Sequence, residues 1–351
     1  MSLSIQKTHD SIMAMKTRSI LLMAVLLASA VFAAGAQVPG RVVLGGKAVT
    51  MVADVVYSFP VARPAVVAVG GTDQGLGVFL ETVYPGFSAL PPFDRQAGVE
   101  VYASYKPDLV ILKSSLKKTL GPGLDSLGVK TAYLDLETPD DYYKDLANVG
   151  RIFGDPARAT VLIDYYRGVV AMAGRAASSA MAKPGAAKPR VLLVQAVGDG
   201  FEVPPDSWIQ TLLVEMAGGQ AVWKGANPGS GWAKVGPEQV AAWNPDVFVV
   251  VSYKEPASVI ASRTAADPRY SGLKAAKSGK IVGFAQDFLS WDQPDTRWGM
   301  GLLWLADAIN PGSMPGYSVE AEARRFFGLF YGLDAAAFDS KILPRLNGTG
   351  K

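Results

Sequence analysis

The side chains able to do chemistry here are carboxylates, lysines, arginines and aromatic rings, because the 351-residue sequence has no cysteine and one histidine, His9. With His9 set aside in the leader described below, disulfides, Cys or His zinc sites, thiol nucleophiles and a Ser-His-Asp triad are excluded. A metal held directly would need oxygen ligands; otherwise it would have to arrive wrapped in a chelator. Loops that follow apolar runs hold Lys47, Thr72, Asp73, Gln74 and Lys113 in the first half, and Phe201, Trp208, Trp232, Tyr253, Trp291, Asp292 and Arg297 in the second. All seven tryptophans lie in the second half. Polar-tipped aromatics suit a bulky planar or partly apolar ligand, and Lys113, Lys254 and Arg297 are cations for its anionic groups.

Several of these residues have a plainer reading. Trp243, Trp298 and Trp304 occupy helical or pre-strand positions that suit a core. Arg297 sits near Asp292 and Asp295 and can pair with either. Thr72, Asp73 and Gln74 lie between Gly70, Gly71, Gly75 and Gly77, as a simple turn would. A rival from another class is an exported glycoside hydrolase drawing a carboxylate pair from Asp73, Asp206, Asp292 and Asp295.

The elements that must position these loops are strands alternating with helices. Apolar stretches at 42–45, 65–69, 109–112 and 131–136, then at 191–197, 247–251 and 280–284, predict strands of parallel sheets covered by helices. Ligands of such sheets bind beyond the C-terminal strand ends, where the loops above lie. An internal correspondence divides the chain. Glu100 stands seven residues before Pro107-Asp108, and Glu238 seven before Pro245-Asp246, each unit running into an unbroken apolar strand. In both, a glutamate in the first turn of a short helix suits the helix dipole, and proline ends the helix. The fold expected is α/β: two similar lobes with parallel sheets flanked by helices, joined by one long helix. That helix is predicted over 155–182, with Asp155 as N-cap, Pro156 at N1 and apolar residues at i, i+3, i+4 spacing.

Lys16 and Arg18 precede an apolar run, and Ala34-Gly35-Ala36 completes the pattern of a secretory signal peptide over 1–36, with Met15 as an alternative start. The run is short of the ~20 residues of a spanning helix. The leader carries Lys7, Lys16 and Arg18 against Asp10, so the net charge of +3 falls to +1 on cleavage. A nearly neutral product is not a nucleic-acid binder on charge grounds. Without cysteine there is no lipid anchor at the cleavage point. The expected layout is an N-terminal lobe over 37–154, the bridging helix over 155–182, a C-terminal lobe over 183–312 and a helical tail over 313–351.

Leader, lobes, long helix and paired Glu-x6-Pro-Asp units together resemble the periplasmic substrate-binding proteins of ABC importers for iron-siderophore, haem and cobalamin. The runs Met216-Ala217-Gly218-Gly219, Val235-Gly236-Pro237-Glu238 and Asp292 to Arg297 are similar to family segments in the same order. The resemblance implies a periplasmic monomer without catalysis or cofactor, whose partners are an ABC permease with its ATPase and a chelated metal. By the same resemblance, Glu100 and Glu238 dock on the permease. A ferric siderophore is the first expectation. Haem would need a tyrosine ligand, Tyr253 or Tyr102; cobalamin and an oxyanion such as molybdate are the others. Bare Zn²⁺ or Mn²⁺ is disfavoured by the missing His and Cys.

Overall fold

β-Branched apolar runs too short for helices become strands covered on both faces. The computed structural model describes residues 38–72 and 75–347. The leader expected over 1–36 and the pair Asp73 and Gln74 lie outside them. In the first lobe, β1 (Val42–Leu44), β2 (Val66–Gly70), β3 (Pro92–Phe93), β4 (Leu109–Lys113) and β5 (Thr131–Leu134) form a sheet of order β3-β2-β1-β4-β5. Every pairing in it is parallel. Helices α1 (Val49–Tyr57), α2 (Phe79–Val83), α3 (Val99–Ser104), α4 (Lys117–Ser126) and α5 (Pro139–Ile152) accompany these strands.

The bridging helix α6 runs Pro156–Met181, with the Asp155 side chain accepting from the Arg158 N–H. At ~1.5 Å per residue it is roughly 39 Å long. Its buried stripe includes Leu162, Tyr165, Tyr166 and Val169. Arg158 in its first turn donates to the carbonyls of Ser58, Leu329 and Phe330, tying the end of α1 to the helix at Val319–Tyr331.

The second lobe contains β6 (Arg190–Val197), β7 (Gly200–Val203), α7 (Ile209–Met216), β8 (Gln220–Ala221), β9 (Ala233–Val235), α8 (Pro237–Trp243), β10 (Val247–Val251), α9 (Ala257–Ala266) and β11 (Ile281–Gly283). Its sheet order is β11-β10-β6-β7-β9, with β8 also on β6. The strands β8-β6-β10-β11 are parallel neighbours, as are β2-β1-β4-β5 in the first lobe. The second sheet adds two antiparallel strands to its parallel set: β7 folds back on β6 through a turn at Gly198 (φ 56°) and pairs antiparallel with β6 and β9. Glycine permits that tight reversal.

After β11, α10 (Trp298–Ile309), α11 (Val319–Tyr331) and α12 (Ala335–Lys341) complete the chain. The aromatic side of α11 packs Phe330 on Tyr165 and Phe327 on Phe79, so one helix touches both the bridge and the first lobe. One apolar core consequently runs from α1 through α6 to β6, β10 and α10, and a smaller one around Val43, Tyr102, Val110 and Leu112 belongs to the first lobe alone. Among the described residues, no helix is long and apolar enough to cross a membrane.

Candidate ligand cleft and docking glutamates

Strand ends of both lobes meet around a cleft of about 290 Å³. The first lobe contributes Lys47, Met51, Lys113, Ser115 and Glu137. Lys47 is exposed in the turn after β1, between Gly46 (φ 78°) and Ala48 (φ 62°). A Cβ at Gly46 would lie 2.2 Å from Leu116 Cδ1, so the turn that presents Lys47 depends on glycine. Lys113 ends β4 and is 3% exposed; its Nζ sits 2.7 Å from Glu137 Oε1 and donates to the Asp135 carbonyl. Much of its charge is thus balanced by the wall it belongs to.

The second lobe contributes Trp208, Gln210, Trp232, Tyr253, Gln293 and Pro294. Trp208 and Trp232 meet edge to face at 5.8 Å, and Trp232 lies 6.4 Å from Tyr253. Beneath them Asp292 Oδ2 accepts from Tyr253 Oη at 2.8 Å and Gln210 Nε2 at 3.1 Å. Burial pushes the Asp292 carboxyl up to about 6, against the pull of these donors. Burial and the adjacent carboxylate push the Tyr253 phenol well above its usual range. Oε1 of Gln210 and Oδ1 of Asp292 are buried without a hydrogen-bond partner in the protein. The Gln210 amide must turn its NH₂ to the carboxylate, which leaves its buried oxygen unpaired.

Among the described residues, a backbone contact joins the lobes at the second lobe's Tyr253–Lys254 loop. Gly75 N–H donates to the Tyr253 carbonyl at 3.1 Å, and a Cβ at Gly75 would stand 3.0 Å from Lys254 Cα.

The other sequence-predicted residues lie elsewhere. Arg297 is fully buried: Nε is 2.9 Å from Asp287 Oδ1, and Nη1 is 2.7 Å from Asp54 Oδ2 and 2.8 Å from Asp295 Oδ1. Its guanidinium also lies 4.5 Å from the centre of the Phe79 ring. The reading of Arg297 as a cleft cation is corrected, because its charge is spent bridging the lobes. Desolvation and Asp295 outweigh the guanidinium and push Asp54 well above the carboxylate range. Trp291 is buried too, its carbonyl held against Gly301 of α10, where a Cβ would come within 2.2 Å. Asp292 reaches the cleft only through Tyr253 and Gln210. Phe201 belongs to β7 and turns into the core against Phe248 and Tyr270, so it is corrected from loop contact to packing. Thr72 accepts from Thr50 Oγ1 at 2.8 Å and lines a separate cavity of about 200 Å³ beside α1. Asp73 and Gln74 lie outside the described residues. Tyr102 is buried under β1 against Phe93, away from the cleft.

Glu137 and Gln210 were missed, while Gln293 falls in the Asp292 to Arg297 run. Glu137 follows β5, so the rule that found Lys113 reaches it as well. Gln210 is a polar residue entering the apolar helix α7, the one available signal.

Glu100 and Glu238 are both exposed in the first turns of α3 and α8, behind N-cap glycines Gly98 and Gly236. A glycine cap leaves room for each glutamate to fold back: a Cβ would lie 2.8 Å from Glu100 Oε2 and 3.1 Å from Glu238 Oε2. Among the described residues, no group of three or more His, Cys, Asp or Glu side chains is arranged to hold a metal ion.

Residues 90–287 match the profile of a family described as periplasmic binding protein. Compared with the curated proteins, the sequence has no match. Among solved structures, a periplasmic solute binding protein from Veillonella parvula is similar at 20% identity and a TM-score of 0.70, over 88% of this chain and 93% of that one. The molybdate periplasmic binding protein MolA of Haemophilus influenzae, bound to molybdate, is similar at 15% identity and a TM-score of 0.68, over 85% and 95%. CeuE of Helicobacter pylori, with Ni(II) bound, is similar at 13% identity and a TM-score of 0.67, over 88% and 96%. The likeness to these structures is one of fold.

Proposed function

The chain belongs to the periplasmic binding protein family, and we propose that it captures a metal chelate, a ferric siderophore first, and hands it to an ABC permease. The observation that carries this reading is the composition of the cleft. An aromatic wall of Trp208, Trp232 and Tyr253 over a buried carboxylate faces Lys47 and Lys113 on the opposite lobe. Such a wall suits the flat, partly apolar body of a chelator, while the exposed Lys47 suits its anionic groups. The metal stays with the chelator, as expected of a cleft without His or Cys. The work is capture, retention and docking in the periplasm, with Glu100 and Glu238 as the contacts to the permease.

The cleft's volume of about 290 Å³ favours a second reading, a compact oxyanion such as molybdate. Haem fits less well. Tyr253 already donates to Asp292 and resists ionisation, so an axial phenolate would need that bond broken. The hydrolase reading keeps only two of its four acids, Asp73 and Asp206: Asp292 and Asp295 are fully buried and Asp295 is bonded to Arg297.

The test is tryptophan fluorescence titration of the leader-free protein with ferric catecholate and ferric hydroxamate chelates, haem, cobalamin and molybdate. Saturable quenching by a ferric chelate, lost in a Trp208→Ala, Trp232→Ala variant, is expected. Saturation by molybdate alone selects the second reading, and silence with all five overturns both.

A further inference from the structure

We infer that Arg41 and Arg190 are positioning residues for the permease-docking glutamates, performing the same task once in each lobe. The inference rests on the docking reading of Glu100 and Glu238. Helices of six and seven residues, α3 and α8, are far too short to be stable by themselves, and their last carbonyls lack intrahelical partners. In the first lobe the Arg41 guanidinium bonds the carbonyls of the cap residue and the one after it, with Nε donating to Lys106 O at 3.2 Å and Nη2 to Tyr105 O at 2.7 Å. In the second, Arg190 Nη2 donates to Trp243 O at 2.7 Å.

The main chain repeats the arrangement. Asp108 Oδ2 accepts from the Arg41 N–H at 2.9 Å, and Asp246 Oδ2 accepts from the Arg190 N–H at 2.9 Å. In return, the N–H groups of Asp108 and Asp246 each donate to the carbonyl of the same arginine at 2.8 Å. Each short helix ends on a left-handed residue before its proline, Lys106 at φ 49° and Asn244 at φ 41°. Arg41 immediately precedes β1 and Arg190 begins β6, the strands that pair with β4 and β10. Each docking helix is thus clamped at its C-terminal end to the middle of its sheet.

A cation at a helix C-terminus is favoured by the helix dipole, and a planar guanidinium can bond two carbonyls where an ammonium offers only a compact head. The clamp sets the tilt of a helix whose free end carries the glutamate. Neither arginine lines the ligand cleft. The sequence correspondence Glu-x6-Pro-Asp is therefore half of a unit whose other half, the arginine, lies more than fifty residues upstream of its Pro-Asp partner in each lobe.

The test measures docking of Arg41→Met, Arg190→Met and the double variant on the permease–ATPase complex reconstituted in nanodiscs. Each single change is expected to weaken docking about two- to fivefold and the double change by their product, with the far-UV spectrum unchanged. The deciding readout is a double-mutant cycle. Because Arg41 acts through Glu100, Arg41→Met should cost nothing further in a Glu100→Ala background, and Arg190→Met nothing further in Glu238→Ala. Arg41→Lys, which keeps charge but not the fork, should fall between wild type and Arg41→Met; it carries the test if the Met variant misfolds. Wild-type docking by the arginine variants, or an undiminished loss in the alanine backgrounds, overturns the inference. If Glu100→Ala and Glu238→Ala themselves dock normally, the docking reading fails instead.

Discussion

Arg297→Met removes the guanidinium that faces Asp54 of the first lobe and Asp287 and Asp295 of the second. The methionine stem can still fill the space against Phe79, so packing loss is small beside the electrostatic one. Asp54 stands well above the carboxylate range, and Asp287 is raised by its burial. The cluster already leans toward holding a proton, and without the arginine it must either hold more or bury uncompensated charge. Breaking a fully buried pair from one side costs about 3–5 kcal/mol. For a chain of this size that is a fall in Tm on the order of 10 °C. The sign of the pH dependence follows. A carboxyl whose folded pKa is raised contributes stability that is present below its unfolded value near 3.9 and is lost as pH rises through the folded value. The variant's deficit should therefore be largest at pH 7 and shrink toward pH 4. Urea unfolding followed by tryptophan fluorescence at both pH values measures it. A loss below about 1 kcal/mol at pH 7, or an equal loss at both pH values, would refute the account of the cluster as an interlobe clamp.

Three other outcomes are expected. Asp292→Asn removes a carboxyl held at about 6, so the stability of the variant relative to wild type should rise between pH 4 and 7, by on the order of 3 kcal/mol; thermal melts across that range check it. Trp232→Ala removes the ring between Trp208 and Tyr253 and should weaken chelate binding roughly tenfold with little change in Tm, as titration calorimetry would show. Reversing Glu100 and Glu238 to Arg should abolish uptake in whole cells while the purified protein binds its ligand as before; unchanged uptake removes the docking role.

Much of the scaffold is legible from residue types because strand and helix signals are local. The run Val247–Val251 is buried along its whole length, and the Asp155-Pro156 pair starts α6. The duplicated units were visible as spacing, and the structure adds matching bonds from Asp108 and Asp246 to Arg41 and Arg190. The β6–β7 hairpin was not legible, since a four-residue strand after Gly198-Asp199 looks like any polar turn. Of the loop residues proposed for the cleft, Lys47, Lys113, Trp208, Trp232 and Tyr253 line it, whereas Trp291 and Arg297 are covered. Loop composition states which groups are present near a strand end, and says nothing of the direction in which each points.

The amino-acid sequence by itself determined the absence of cysteine chemistry, the α/β alternation and the doubling of the Glu-x6-Pro-Asp unit, because composition and short-range spacing suffice for each. Only the tertiary structure decided how the charges are used. Arg297 meets Asp54 across 243 residues of chain, and at zero exposure a guanidinium goes to the carboxylates that compensate its desolvation rather than to a ligand. Lys47, left at the surface by a left-handed turn, stands on the cleft wall instead.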